Sequence, residues 1–242
     1  MGKIDVLSDI HGMYTLFMEM LKNNKFSFDE DHLYINGDCI DRGPDGIKIL
    51  QEIMRHQNCM TLILGNHEYM MLAAYSPDAS EADKCLWELN GGATTKSAFE
   101  SLTEKEQNDI LVFLQRCPTY VDVSVNGQNF HLTHGWPADT TYGRVWGHPP
   151  RGINSRNPLR NGSKLIVGHT VTLRLYTENR WEQNYIIRRM IEDNEHLRIC
   201  KAPEFICIDC GCGHGLPVSR LACLRLNDMK EFYVDAKEEE YD

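Results

Sequence analysis

Ser8-Asp9-Ile10-His11-Gly12, Gly37-Asp38-Cys39-Ile40-Asp41-Arg42-Gly43 and Gly65-Asn66-His67-Glu68 are the stretches whose reading decides the fold. Each closes a short apolar run that reads as a β-strand and opens onto a segment that reads as a helix. Strands are expected over 4–7, 33–36 and 60–64, and helices over 13–21, from Pro44 onward and over 67–74. Proline suits the first turn of a helix, where its missing N–H costs nothing. Ile47, Ile49, Leu50, Ile53 and Met54 then give that helix its apolar side. Strand and helix alternate through the first third, the pattern of a largely parallel sheet covered by helices.

Residues 76–117 are polar and mostly helical by pattern, broken at Gly91-Gly92. Thr103 followed three residues later by Glu106 matches a capping box, in which hydroxyl and carboxylate satisfy each other's backbone N–H. This stretch is expected to form a helical insert, either a cap beside the site or a structural layer. Asn126-Gly127 between 120–125 and 129–133 signals a hairpin. A loop-rich stretch over 135–162 precedes strands expected over 165–167, 184–191, 196–199, 205–208, 221–226 and 231–234. The expected architecture is an α/β sandwich of two sheets with loops gathered at one edge. It is expected as one domain over 1–242, with an acidic C-terminal tail at about 236–242.

The 242 residues are 42% hydrophobic and 25% charged, ordinary values for a globular protein with a sizeable core. A net charge of −10 without a run of Lys or Arg argues against a nucleic-acid partner. No apolar run is long enough to span a membrane, and no signal-peptide layout precedes the first strand. Val6 stands where the N-myristoylation pattern needs Ser or Thr. A cytoplasmic location is expected. Nine cysteines do not form a disulfide framework in a chain this long. Cys207, Cys210 and Cys212 lack a second ligand pair at zinc-site spacing and read as thiols in or beside a buried strand.

Ligands of open α/β sheets gather at the carboxyl ends of the strands, where all three opening segments lie. Leu132-Thr133-His134-Gly135 and Val167-Gly168-His169-Thr170 end strands in the same way. Asp9, His11, Asp38, Asn66, His134 and His169 together offer two carboxylates, one amide oxygen and three imidazoles. That mixed oxygen and nitrogen set suits Mn, Fe or Zn better than Ca or Mg. Six such groups can hold two divalent ions if one carboxylate bridges, and Asp38 is the choice of bridge. Arg42 can grip a phosphate bidentately. His67 is placed to protonate a leaving oxygen, with Asp41 to fix its tautomer. His32, His56, His131 and His196 read as packed, hydrogen-bonded residues.

In this order, the motifs resemble those of the metallophosphoesterase (calcineurin-like) superfamily, and within it the compact bacterial and phage Ser/Thr protein phosphatases. Ile208-Asp209-Cys210-Gly211-Cys212 matches that family's late strand end, so the resemblance runs over about 3–226. It implies one metal on Asp9, His11 and Asp38 and another on Asp38, Asn66, His134 and His169, with Mn²⁺ the first choice. It also implies phosphate binding by Arg42, and His67 with Asp41 as general acid. A metal-bridging hydroxide would attack phosphorus directly, with no phospho-enzyme. The substrate implied is a phosphorylated protein or peptide, on Ser or Thr, with Tyr as a further option. No oligomeric state follows.

One position departs from the pattern. The family carries a second phosphate-binding Arg two residues after a Trp, whereas Val145-Trp146-Gly147-His148 places a His there. His148 takes that role, or Arg151 or Arg144 reaches in. Related dinucleoside tetraphosphate hydrolases typically have Ala in place of Asp41 and Asp in place of Glu68, so both positions favour a protein phosphatase. A small-molecule or nucleotide phosphatase is the other alternative. A non-catalytic regulator would have lost ligands, and none is missing.

Overall fold

The first strand, β1 (Ile4–Leu7), sends Val6 to one face and Leu7 to the other, and both side chains are fully buried. A strand apolar on both faces lies inside a layered structure rather than at its surface. The computed structural model, which describes residues 2–236, places it so. β1 pairs in parallel with β2 (His32–Asn36), and β2 with β3 (Met60–Ile63). The second sheet contains the hairpin β4 (Tyr120–Val125) and β5 (Gln128–Thr133), then β6 (Lys164–Val167), β7 (Cys200–Lys201) and β8 (Phe205–Cys207), in the order β4-β5-β6-β8-β7. The chain then returns to the first sheet with β9 (Arg220–Arg225), antiparallel to β1, and β10 (Lys230–Asp235) at the edge.

The two sheets stack as a sandwich. Val6, Ile63, Phe130, Leu132, Ile166, Ile206 and Leu224 fill the space between them. On the other face of the first sheet, Leu7 and Ile35 meet α1 (Tyr14–Asn23) and α2 (Gly46–Arg55) through Phe17, Ile49, Leu50 and Ile53. α3 (Asn66–Ala74) begins immediately after the loop that follows β3. Asn36 ties the sheets together where their strands end, its Nδ2 donating to Thr133 O at 2.8 Å.

The expected strands and helices of the first third are all present, with α2 starting two residues beyond Pro44. The polar stretch after α3 forms α4 (Glu81–Trp87), α5 (Ala93–Glu100) and α6 (Glu104–Arg116), with Gly91 at φ 99 making the break. Thr103 Oγ1 accepts from Glu106 N while Glu106 Oε2 accepts from Thr103 N, the expected capping box. Asn126 and Gly127 take φ of 50° and 79°, as the tight hairpin turn requires.

Two expected strands are corrected. Residues 184–191 belong to a helix, and 196–199 form no strand. The loop-rich stretch first holds the short α7 (Thr141–Trp146), and the helix is α8 (Arg180–Glu192). Asn179 caps α8 by accepting from Glu182 N, and Ile186, Ile187 and Met190 pack at helical spacing on the inter-sheet core. The isoleucine pair reads as strand by propensity, but capping and period decide for helix. The acidic tail lies, apart from Ala236, outside the described residues.

Candidate active site

Five strand-end loops converge at the carboxyl ends of β1, β2, β3, β5 and β6. The first two run side by side, with Asp9 N donating to Gly37 O (3.1 Å), His11 N to Asp38 O (3.0 Å) and Gly12 N to Cys39 O (3.0 Å). Asp9, His11 and Asp38 take φ of 54°, 48° and 53°, the left-handed region that costs a non-glycine residue about 1 kcal/mol or more. The paired backbones compensate, and the strained turns aim the side chains at a common centre. His169, at φ 60°, is brought in by its N–H on Asp9 Oδ2 (3.1 Å). Gly168 permits that approach, since a Cβ there would lie 2.5 Å from Asp9 Oδ2 and overlap Ser8 Oγ.

Glu68, on the first turn of α3, locks the next two loops together. Its fully buried carboxylate accepts from Asp38 N (2.9 Å), Cys39 N (2.8 Å) and Gly65 N (3.0 Å). This structural role of Glu68 does not follow from the Gly-Asn-His-Glu motif alone.

At the centre, Asp38 Oδ2 lies 3.2 Å from His134 Nε2 and 3.8 Å from both His11 Nε2 and His67 Nε2. Asn66 Oδ1 is 3.0 Å from His134 Nε2. His134 Nδ1 donates to Asn36 O and His11 Nδ1 to Ile40 O, which turns both Nε2 atoms inward. Two groups have ligand atoms all within 4.8 Å of one another: His11, Asp38 and His67, and Asp38, His134 and His169. Asp38 is common to both. Asp9 is in neither; its Oδ2 accepts from His169 N and Ser8 Oγ. The four histidines set aside from the sequence pair elsewhere, for example His32 with Thr61 and His131 with Asp122. Cys207, Cys210 and Cys212 are buried thiols, as expected, and belong to neither group.

Charge makes this assembly costly without cations. Burial, then the neighbouring Asp209, pushes the Asp9 carboxyl well above the usual range, and burial carries Asp209 to about 6. Burial also acts upward on Asp38, but His134 and His67 beside it pull its carboxyl well below the usual range. His134 is raised to about 10 by Asp38 against the opposing effect of burial. Burial lowers His11 well below its ordinary value and His169 to about 3, so both present neutral lone pairs. His169 Nε2 is buried and has no hydrogen-bond partner among the described residues. An orphaned imidazole nitrogen beside crowded carboxylates fits one or more divalent ions.

Beside this centre, His67 Nδ1 lies 2.7 Å from Asp41 Oδ2, which also accepts from Trp87 Nε1 (2.8 Å). Arg42 NH2 reaches His67 Nε2 at 3.3 Å and Arg42 NH1 reaches His214 Nε2 at 3.1 Å. Trp87 and His214 are 46 and 172 residues away from these partners, so spacing could not reveal them. A glycine-rich run after the 205–208 strand was the one available signal for His214.

The substrate-side expectations divide. His148 stacks on His169 (4.5 Å between centroids, 19°) and holds Thr170 Oγ1 through Nδ1 at 2.8 Å. Arg151 is exposed, and among the described residues its side chain makes no hydrogen bond or ion pair. Arg144 is committed elsewhere, to Ala138 O and Thr119 Oγ1. A separate cavity of about 570 Å³ at the opposite ends of β6 and β8, lined by Lys164, Lys201 and Phe205, shares no residue with the centre.

A two-sheet α/β sandwich with these residues at its strand ends defines a metallophosphoesterase. Residues 2–173 match the calcineurin-like phosphoesterase family, a family of metal-dependent hydrolases with dinuclear sites, and the chain belongs to it. Over 175 residues it is 30% identical to serine/threonine-protein phosphatase 1 of Salmonella typhimurium, covering 68% of this chain and 77% of that one. It is 32% identical over 114 residues to a symmetrical bis(5'-nucleosyl)-tetraphosphatase of Erwinia tasmaniensis, covering 47% of this chain and 37% of that one. The fold matches that of a metallophosphoesterase from Sphaerobacter thermophilus with a TM-score of 0.57 at 15% identity, covering 98% and 89% of the two chains. No helix among the described residues is long and apolar enough to cross a membrane.

Proposed function

We propose that this chain is a phosphoprotein phosphatase that hydrolyses phosphomonoesters of Ser or Thr, with Tyr as a further substrate. The observation that carries the reading is the buried His67–Asp41 pair at 2.7 Å. An alkoxide is a far poorer leaving group than a nucleotide phosphate, so a dedicated proton donor contributes most when serine or threonine departs. The Salmonella relative, which matches over two thirds of the chain, supports the same side.

Asp9, His11 and Asp38 would hold one ion, and Asp38, Asn66, His134 and His169 the other, with Mn²⁺ preferred and Fe or Zn acceptable. Such ions supply Lewis-acid polarisation of a phosphoryl oxygen and lower the pKa of attacking water. The rest is done by the chain itself. Arg42 binds the phosphate oxygens, with His148 and Arg151 at the rim. The carboxylate of Asp41 accepts from His67 Nδ1–H, so that the imidazolium gives its Nε2 proton to the leaving oxygen and keeps the one on Nδ1. Asn36 O and Ile40 O, accepting from Nδ1 of His134 and His11, orient two further imidazoles.

Hydrolysis of a dinucleoside tetraphosphate is the second reading, favoured by the Erwinia relative. A panel of phosphopeptides, p-nitrophenyl phosphate and a dinucleoside tetraphosphate, assayed with Mn²⁺ and with chelator, separates the two. Turnover of phosphopeptides that chelator abolishes is expected. Activity confined to the dinucleotide would overturn the proposal.

A further inference from the structure

The guanidinium of Arg42 is held on both flanks by imidazole nitrogens, His67 Nε2 on NH2 at 3.3 Å and His214 Nε2 on NH1 at 3.1 Å. Its backbone is fixed as well, Arg42 N donating to Gly91 O at 2.9 Å. A planar fork with both ends engaged has one orientation. His67 belongs to the proton-donating pair already described, whereas His214 comes from the opposite end of the chain.

The turn that delivers His214 is built for the purpose. A one-turn 3-10 helix over Cys212–His214 is bracketed by Gly211 and Gly215, at φ 77° and 61°. Left-handed backbone on both sides is what glycine tolerates best. Between them, a Cβ on Gly213 would overlap the His11 ring, so the turn sits directly on that imidazole. The His214 ring meets the His11 ring edge-on, 6.4 Å between centroids. This pressed, doubly left-handed turn brings a side chain from beyond β8 to the outer end of Arg42.

We infer that His214 is a positioning residue for phosphate binding, which holds Arg42 in its productive orientation across the mouth of the site. Arg42 and His67 alone leave one end of the fork free to swing. An arginine side chain that is ordered before the ligand arrives spares the phosphate dianion the cost of immobilising it. When phosphate binds, its oxygens take N–H groups of NH1 and NH2, while the second N–H of NH1 stays on His214. His214 thereby compensates in part for the second arginine, in whose place this chain has His148. The inference rests on the phosphoesterase reading.

The test compares His214→Ala and His214→Gln with the parent, all loaded with Mn²⁺. KM and kcat for p-nitrophenyl phosphate, calorimetric affinity for inorganic phosphate and calorimetric affinity for Mn²⁺ are measured. His214→Ala should raise KM and weaken phosphate binding by the same factor, about 3- to 10-fold from one freed side chain, with kcat within about twofold. Mn²⁺ affinity should be unchanged, and Gln, which offers an acceptor oxygen, should recover part of the loss. In an Arg42→Ala background, His214→Ala should have no further effect. Unchanged KM and phosphate affinity, or full additivity with Arg42→Ala, would overturn the inference. Lower kcat with lost Mn²⁺ affinity would overturn it too, by showing that His214 only buttresses His11. Phosphate binding reads the inference even if no phosphoester is turned over, an outcome that would count against the proposed function alone.

Discussion

Asp41 shows how much one buried side chain can be asked to do. Its Oδ2 accepts from His67 Nδ1 and Trp87 Nε1, and its backbone N–H donates to Thr95 Oγ1. The carboxylate therefore fixes one tautomer of His67. Replacing Asp41 with Asn keeps the shape but offers an amide where a carboxylate accepted, and the imidazole then loses its orientation. Loss of general acid catalysis typically costs about 10²–10⁴-fold. For Asp41→Asn we expect kcat to fall about 10²-fold on a phosphoserine peptide. On p-nitrophenyl phosphate, whose aryloxide departs without a proton, it should fall less than about tenfold. Equal losses on the two substrates would show that Asp41 does not act through proton donation. The pairing of Asp41 with His67 was legible from their motifs. Trp87 was not, because a hydrogen bond between residues 46 apart follows from how α4 packs rather than from any spacing.

At the scale of elements, the site exists because loops after separate strands are fastened to one another. Glu68 does this from the first turn of α3, accepting N–H bonds from the loops that follow β2 and β3. Glu68→Gln removes the charge and sets an amide N–H₂ against backbone donors that have no other acceptor among the described residues. Leaving buried donors unpaired costs about 1–3 kcal/mol each, more beside a lost charge. The variant should lose about 2–4 kcal/mol of stability in urea denaturation and bind Mn²⁺ more weakly. Wild-type stability with normal metal affinity would remove Glu68 from this role. Element identity was readable from period in α2, from period and cap in α6, and from the Asn126-Gly127 turn in the β4–β5 hairpin. In α8 propensity and packing pull apart: the Ile186–Ile187 pair favours strand, whereas Asn179 caps a helix whose Ile186, Ile187 and Met190 pack on the inter-sheet core.

Across the whole molecule, the alternation of β1 places Val6 between the sheets, and Asp5 and Leu7 toward the helices. Asp5 is fully buried, accepts from Asn24 Nδ2 at 2.6 Å and leaves Oδ1 without a partner among the described residues. Burial raises its carboxyl from 3.8 to about 6. The folded state thus binds this proton more tightly than the unfolded chain. Stability falls as pH rises from about 4 to about 6 and carries the full penalty above, about 3 kcal/mol for a shift of roughly two units. Asp5→Asn should be more stable than the parent by about 1–3 kcal/mol at pH 8 in urea denaturation with chelator present, and the gap should shrink toward pH 4.5. A gap of equal size at both pH values would mean that the penalty is not the ionisation of Asp5. By itself, the sequence determined the alternating strands and helices of the first third, the family, and which residue types stand at five strand ends. Those features are local, set by periodicity, turn chemistry and motif spacing. Only the tertiary structure decided that Glu68 ties the loops, that Asp41 rests on Trp87, and that His214 meets Arg42. Each joins residues far apart in sequence, and only the packing of the two sheets and their helices brings such groups within hydrogen-bonding reach.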